Sequence, residues 1–112
     1  MLQFNTINKI ATKLYMLSGS LIADQRHKLA QTCIEDKCTH ILWLDSDMAF
    51  PATTALRLMA HKQPIVAVNY IRRQPPFKGV AYPTIGDWQN PLPYEVYDDL
   101  VEVEGIGMGC IL

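Results

Sequence analysis

No run of apolar residues in this chain approaches the roughly 20 that a membrane-crossing helix needs, so no transmembrane segment is expected. A signal-peptide core is missing as well, because Asn5, Asn8 and Lys9 interrupt the first residues. Cysteine is sparse. Cys33, Cys38 and Cys110 lack metal-site spacing and, being three, cannot all pair internally. The expectation is a reduced, cytoplasmic protein. Excess charge is also lacking: the net charge is -1, which leaves no global basic field for nucleic acid or an anionic membrane. All ten Lys and Arg fall at or before Lys78. The carboxylates beyond it (Asp87, Glu95, Asp98, Asp99, Glu102 and Glu104) read as a solvated acidic edge. What the chain does have is 49% hydrophobic and 19% charged residues over 112 positions. That is too apolar for disorder and enough for one small domain or part of a larger one.

Periodicity orders the chain into elements. Ile7, Ile10, Ala11 and Leu14 recur at helical spacing and predict a short first helix. Tyr15-Met16-Leu17 predicts a short strand ending at Ser18-Gly19. Ser20 is suited to cap a helix reaching Lys37, whose apolar face is Ile22, Leu29, Ala30, Cys33 and Ile34. Thr39–Asp45 and Ile65–Tyr70 are continuous apolar runs, the pattern of strands covered on both faces in a parallel sheet. Pro51 opens a helix over Ala52–Lys62, with Ala55, Leu58 and Met59 on its buried side. Helix, strand, helix, strand amounts to a βαβ unit with a preceding helix, and the predicted fold class is α/β with a mostly parallel sheet. Beyond Tyr70, prolines punctuate a loop-rich segment, with a short strand over Lys78–Tyr82 and a hairpin or edge strand over Tyr94–Glu104. The chain closes on Gly105–Leu112, a strand-like ending where polar residues are usual; the expectation is a chain cut short at its C-terminus.

In an open α/β sheet, ligands bind beyond the carboxyl ends of the strands, where Asp45 and Asp47 are placed. Two carboxylates flanking one small residue offer hard oxygen ligands to Mg²⁺ or Mn²⁺, with positions left for diphosphate oxygens. The alternative is that Asp47 caps the helix opened by Pro51. His27, His40 and His61 are scattered and read as surface or packed residues.

Ile41-Leu42-Trp43-Leu44-Asp45-Ser46-Asp47-Met48-Ala49-Phe50-Pro51 resembles the aspartate-motif strand of glycosyltransferases with the A-type fold, and especially small family-2-like enzymes of bacteria and phages. Gly19-Ser20-Leu21-Ile22-Ala23-Asp24-Gln25-Arg26 is similar to their helix start, and Val66–Pro75 to the strand and loop after the metal helix. Gly105–Cys110 is similar to their glycine-rich strand. The matches run in order over residues 19 to 112.

The resemblance implies metal-dependent glycosyl transfer from a nucleotide-diphosphate sugar, a uridine-diphosphate sugar above all, to a saccharide or other acceptor. It places Asp47 on the metal, and Asp45 on the metal or the ribose. Arg26 would pair with Asp45 or a phosphate, or be a surface helix arginine. Tyr70 and Arg73 would line the acceptor side or belong to an ordinary loop. Gly107, with Gly105 and Gly109, would let backbone approach a sugar, or else serve a bulge or tight strand packing. Such enzymes begin with a base-holding strand and carry a later acidic base, and neither is matched here. The expectation is therefore one partial domain over 1–112, inactive by itself. Two other readings fit the residues: a nucleotide-sugar-binding fragment without turnover or a gene remnant, and a haloacid-dehalogenase-type phosphatase with Asp45 as nucleophile and Asp47 as general acid. Met48 and the preceding elements count against the phosphatase.

Overall fold

A computed structural model describes residues 2–5, 10–93 and 100–112. The chain forms two compact units, Met1–Ile41 and Leu42–Leu112. No helix among the described residues is long and apolar enough to cross a membrane.

In the first unit, β1 (Leu2–Asn5) and β2 (Ile10–Lys13) form an antiparallel hairpin, followed by α1 (Ile22–Glu35). The first predicted helix is therefore corrected to a hairpin. Ile10-Ala11-Thr12 carries β-branched residues that favour a pleated strand over a helix. Tyr15–Leu17 is not a strand. Helix α1 is stopped by local chemistry. Lys37 adopts φ 58°, its N–H bonds to the Ile34 carbonyl, and the Cys38 N–H bonds to the Cys33 carbonyl, each at 3.0 Å. Those two bonds and the left-handed residue make a Schellman motif that satisfies the last carbonyls. At the other end Leu21, not Ser20, stands at the N-cap, with no side-chain cap bond. Cys33 is buried, whereas Ile34, expected on the same face, is exposed. Beside the helix end, the Asp36 carboxylate accepts from both Lys13 Nζ and the Tyr15 hydroxyl.

The second unit contains β3 (Trp43–Leu44), α2 (Thr54–Ala60), β4 (Ala81–Tyr82), β5 (Gly105–Ile106) and β6 (Cys110–Ile111). Pairing is antiparallel in all three two-stranded sheets of the described chain: β1 with β2, β3 with β6, and β4 with β5. No parallel pair occurs among the described residues, which overturns the expected mostly parallel sheet and the A-type glycosyltransferase fold. The physical reason lies in the C-terminal segment. Trp43 pairs with Ile111 on one edge of β6, while Ala67 bridges the same Ile111. A residue can pair with two neighbours only across opposite edges. So β6 runs between the two apolar segments, antiparallel to each. Continuous hydrophobicity reports cover, not strand direction. In the 65–68 segment even the cover is one-sided: Val66 is buried, while Ile65 is 72% exposed and Val68 is also exposed.

The core gathers Leu58 of α2, Val66 and Cys110, packed by Leu42, Leu44, Met48 and Leu112. Helix α2 buries Leu58 as its spacing predicts, but it is shorter than the expected Ala52–Lys62. Of the expected strand at Lys78–Tyr82, Ala81–Tyr82 is regular. The predicted hairpin over Tyr94–Glu104 lies largely outside the described residues; its described part, 100–104, is not strand.

One close approach fixes the C-terminal turn. A Cβ at Gly109 would meet the Tyr70 ring at 2.7 Å, and one at Gly107 would meet the Tyr70 hydroxyl at 2.7 Å and Val80 Cβ at 3.0 Å. The Gly109 N–H donates to the Tyr70 hydroxyl at 3.0 Å. The two glycines thus form a slot filled by one phenol.

Gly109→Ala should cost about 1–3 kcal/mol, the usual range for overpacking. Urea denaturation will show the loss, and the cost should shrink in a Tyr70→Ala background, because the two residues share one contact.

A second expectation concerns acid. Lys13, and after it Tyr15, hold the Asp36 carboxyl below its ordinary 3.8. A depressed folded-state pKa adds stability above the unfolded value, and that stability is lost as pH falls through the folded one. Asp36→Asn should therefore flatten the decline of the urea midpoint below about pH 4. An unchanged acid limb would refute the contribution of this group.

Candidate functional site

Asp45, Ser46 and Asp47 follow β3 directly and turn the chain, with the Met48 N–H bonded to the Asp45 carbonyl at 3.1 Å. All three are exposed. The turn is anchored from behind by the C-terminal glycines: the Asp45 N–H donates to the Gly109 carbonyl at 3.0 Å. Gly109 therefore joins the aspartate turn through its carbonyl and Tyr70 through its N–H. Asp47 does not cap α2, which begins only at Thr54 with Thr53 at its N-cap. Pro51 instead lies before the helix, where its carbonyl accepts the Thr54 N–H and hydroxyl.

The cation beside Asp47 is Arg73. Its Nη1 lies 3.3 Å from Asp47 Oδ2, and Nη2 donates to the Asp47 carbonyl oxygen. A return of the chain brings it there. Ile71 bridges Gly79, and the Arg72 N–H bonds to the Lys78 carbonyl at 2.9 Å, so residues 72–78 form a closed loop with Arg73 at its start. The base of that loop is held by Asn69, whose Oδ1 accepts from the N–H groups of Val80 and Ala81 at 2.8 and 3.1 Å. Gly79 admits this side chain: a Cβ there would sit 2.6 Å from Asn69 Oδ1.

Of the sequence-identified residues, Asp45, Asp47, Tyr70, Arg73 and Gly107 all belong to the second unit. Within it, contacts link Asp45 to Gly109, Gly109 to Tyr70, Tyr70 to Gly107, and Asp47 to Arg73. Arg26 lies half-buried on α1 of the first unit. At Gly107 and Gly109 the space a side chain would take is filled by Tyr70. Sequence reasoning did not identify the Arg73–Asp47 contact or the Asn69 staple. An Asn immediately before Tyr70, facing a lone Gly79 ten residues on, was the available signal.

The donor set suits a hard divalent cation, since two exposed carboxylates provide anionic oxygens at an open strand end. Among the described residues no group of three or more His, Cys, Asp or Glu side chains is gathered. Water and ligand oxygens would have to complete the shell, as Mg²⁺ commonly requires.

The Arg73 and Asp47 side chains are 68% and 59% exposed, so their attraction is weak and screened by salt. A double-mutant cycle of Arg73→Ala and Asp47→Ala should give a coupling below about 1 kcal/mol, vanishing at high salt. A larger, salt-insensitive coupling would mean that the pair is structural.

Compared with family models, curated proteins and solved structures, the chain matches none.

Proposed function

We propose that this chain provides the donor-binding part of a metal-dependent glycosyltransferase, with the Asp45–Asp47 turn receiving the diphosphate of a nucleotide sugar. The observation that carries this reading is the turn itself, where two exposed carboxylates stand with a guanidinium against the second. Asp45 and Asp47 are the residues that would hold Mn²⁺ or Mg²⁺. Such a cation, when bound, offsets the charge that builds on a nucleoside-diphosphate leaving group.

Arg73 supplies the other positive charge, and a planar guanidinium suits bidentate contact with phosphate. Its exposed contact with Asp47 is weak enough to be exchanged for a phosphate. Arg73 therefore has two opposed effects: it competes with the metal for Asp47 and assists the donor once the metal is in place. Tyr70 acts from behind, holding the glycine turn that anchors Asp45.

Titration calorimetry with a uridine-diphosphate sugar, with and without Mn²⁺, tests this reading. Asp47→Ala should weaken metal-dependent donor binding at least tenfold, about 1.4 kcal/mol, with little change in the urea midpoint. Arg73→Ala should weaken donor binding while leaving Mn²⁺ binding alone equal or tighter. Donor binding that ignores both the metal and Asp47→Ala would sink the assignment. Phosphate release from an aryl phosphate that depends on Asp45 would support the phosphatase instead.

A further inference from the structure

The Schellman motif at the end of α1 places two cysteines at the positions whose side chains such a motif brings into contact. Cys33 is the third residue from the helix end and Cys38 the second beyond the cap, the two ends of the six-residue bond. Their backbones are tied by the 3.0 Å bond from the Cys38 N–H to the Cys33 carbonyl. Standard bond lengths then hold the two Cα atoms within about 7 Å of each other, the range that a disulfide bridges. The two cysteines differ in access: Cys33 is 6% exposed, while Cys38 is open to solvent.

A second set of contacts converges on the same corner. The Tyr15 hydroxyl lies 3.9 Å from Cys38 Sγ while bonded to Asp36, and Lys13 pairs with that carboxylate. Burial, and after it the neighbouring Cys38, raises the Cys33 thiol above its ordinary pKa. The inner sulfur is thus kept protonated until it is called on, and the outer one meets reagents first.

We propose that Cys33 and Cys38 form a thiol–disulfide site, with Cys38 the attacking and Cys33 the resolving sulfur, oxidised by a low-molecular-weight disulfide of the glutathione type. The Cys38 thiolate attacks one sulfur of the external disulfide, forming a mixed disulfide and expelling one thiolate, which takes up a proton. Cys33 then loses its proton to solvent and attacks Cys38 Sγ, displacing the second thiolate, which is protonated in turn. Two protein thiols become one disulfide, and the external disulfide is reduced to two thiols. The ring closes without a change of backbone fold, because the motif already holds its ends together. Cys110, buried in the core of the second unit, takes no part.

Peptide mapping of the intact chain tests this directly, because Lys37 lies between the two cysteines. After exposure to oxidised glutathione and alkylation of remaining thiols, trypsin should leave peptides 29–37 and 38–57 joined, with the pair losing two hydrogens relative to the reduced sum. Dithiothreitol should separate them. Cys110→Ser should give the linked pair at the wild-type yield, and Cys33→Ser should stop at glutathione on Cys38. Stable glutathionylation of Cys38 in the wild type, or a Cys38–Cys110 link, would overturn the proposal.

Discussion

The slot that Gly107 and Gly109 leave for the Tyr70 ring is the constraint on which the second unit turns. Any side chain at either glycine would collide with that phenol. The slot lets the C-terminal segment fold back closely enough to pair twice, first with residues around β4 and then with β3 and the 66–68 segment. Both backbone groups of Gly109 are engaged, one by Tyr70 and one by Asp45. A buried or half-buried turn that satisfies its own polar groups in this way avoids the desolvation cost that would otherwise open it.

The aspartate turn gains a fixed base and an open front from this arrangement. Its backbone is held by the strand behind it, while Asp45 and Asp47 themselves are exposed. Arg73 approaches from a loop whose root is fixed by Asn69. Arg73 and Asp47 therefore meet on a firm scaffold through an exposed, weak pair. Weak, exposed pairing is what a site that exchanges partners requires, since a buried ion pair would resist being opened by an incoming ligand.

The first unit is governed by shorter-range chemistry. Lys37 takes the left-handed conformation that ends α1, and the same bend ties the Cys38 N–H to the Cys33 carbonyl, while Asp36 beside it accepts from Lys13 and Tyr15. The Tyr15 phenol is raised in pKa, chiefly by its bond to Asp36, so it remains a donor to that carboxylate across the ordinary pH range.

The sequence by itself determined the features that depend on near neighbours. The amphipathic stripe marked α1 and placed Cys33 inside it, the spacing of Leu58 marked the buried side of α2, and the Asp-Ser-Asp turn after an apolar strand marked the candidate site. It did not determine strand direction. An apolar run reports how much of a segment is covered, and the 65–70 run looks the same whichever way its neighbour points. Only the tertiary structure decided that β6 lies antiparallel between the two runs, because that depends on a segment more than forty residues away. The hairpin at the N-terminus was hidden for a different reason: helical spacing and β-branched content compete over so few residues that neither period dominates. The partner of Asp47 was decided by tertiary structure too. Arg73 was legible as a candidate, but its contact depends on the loop closure that Asn69 holds, and a side-chain amide bonding two distant N–H groups leaves no periodic trace in a sequence.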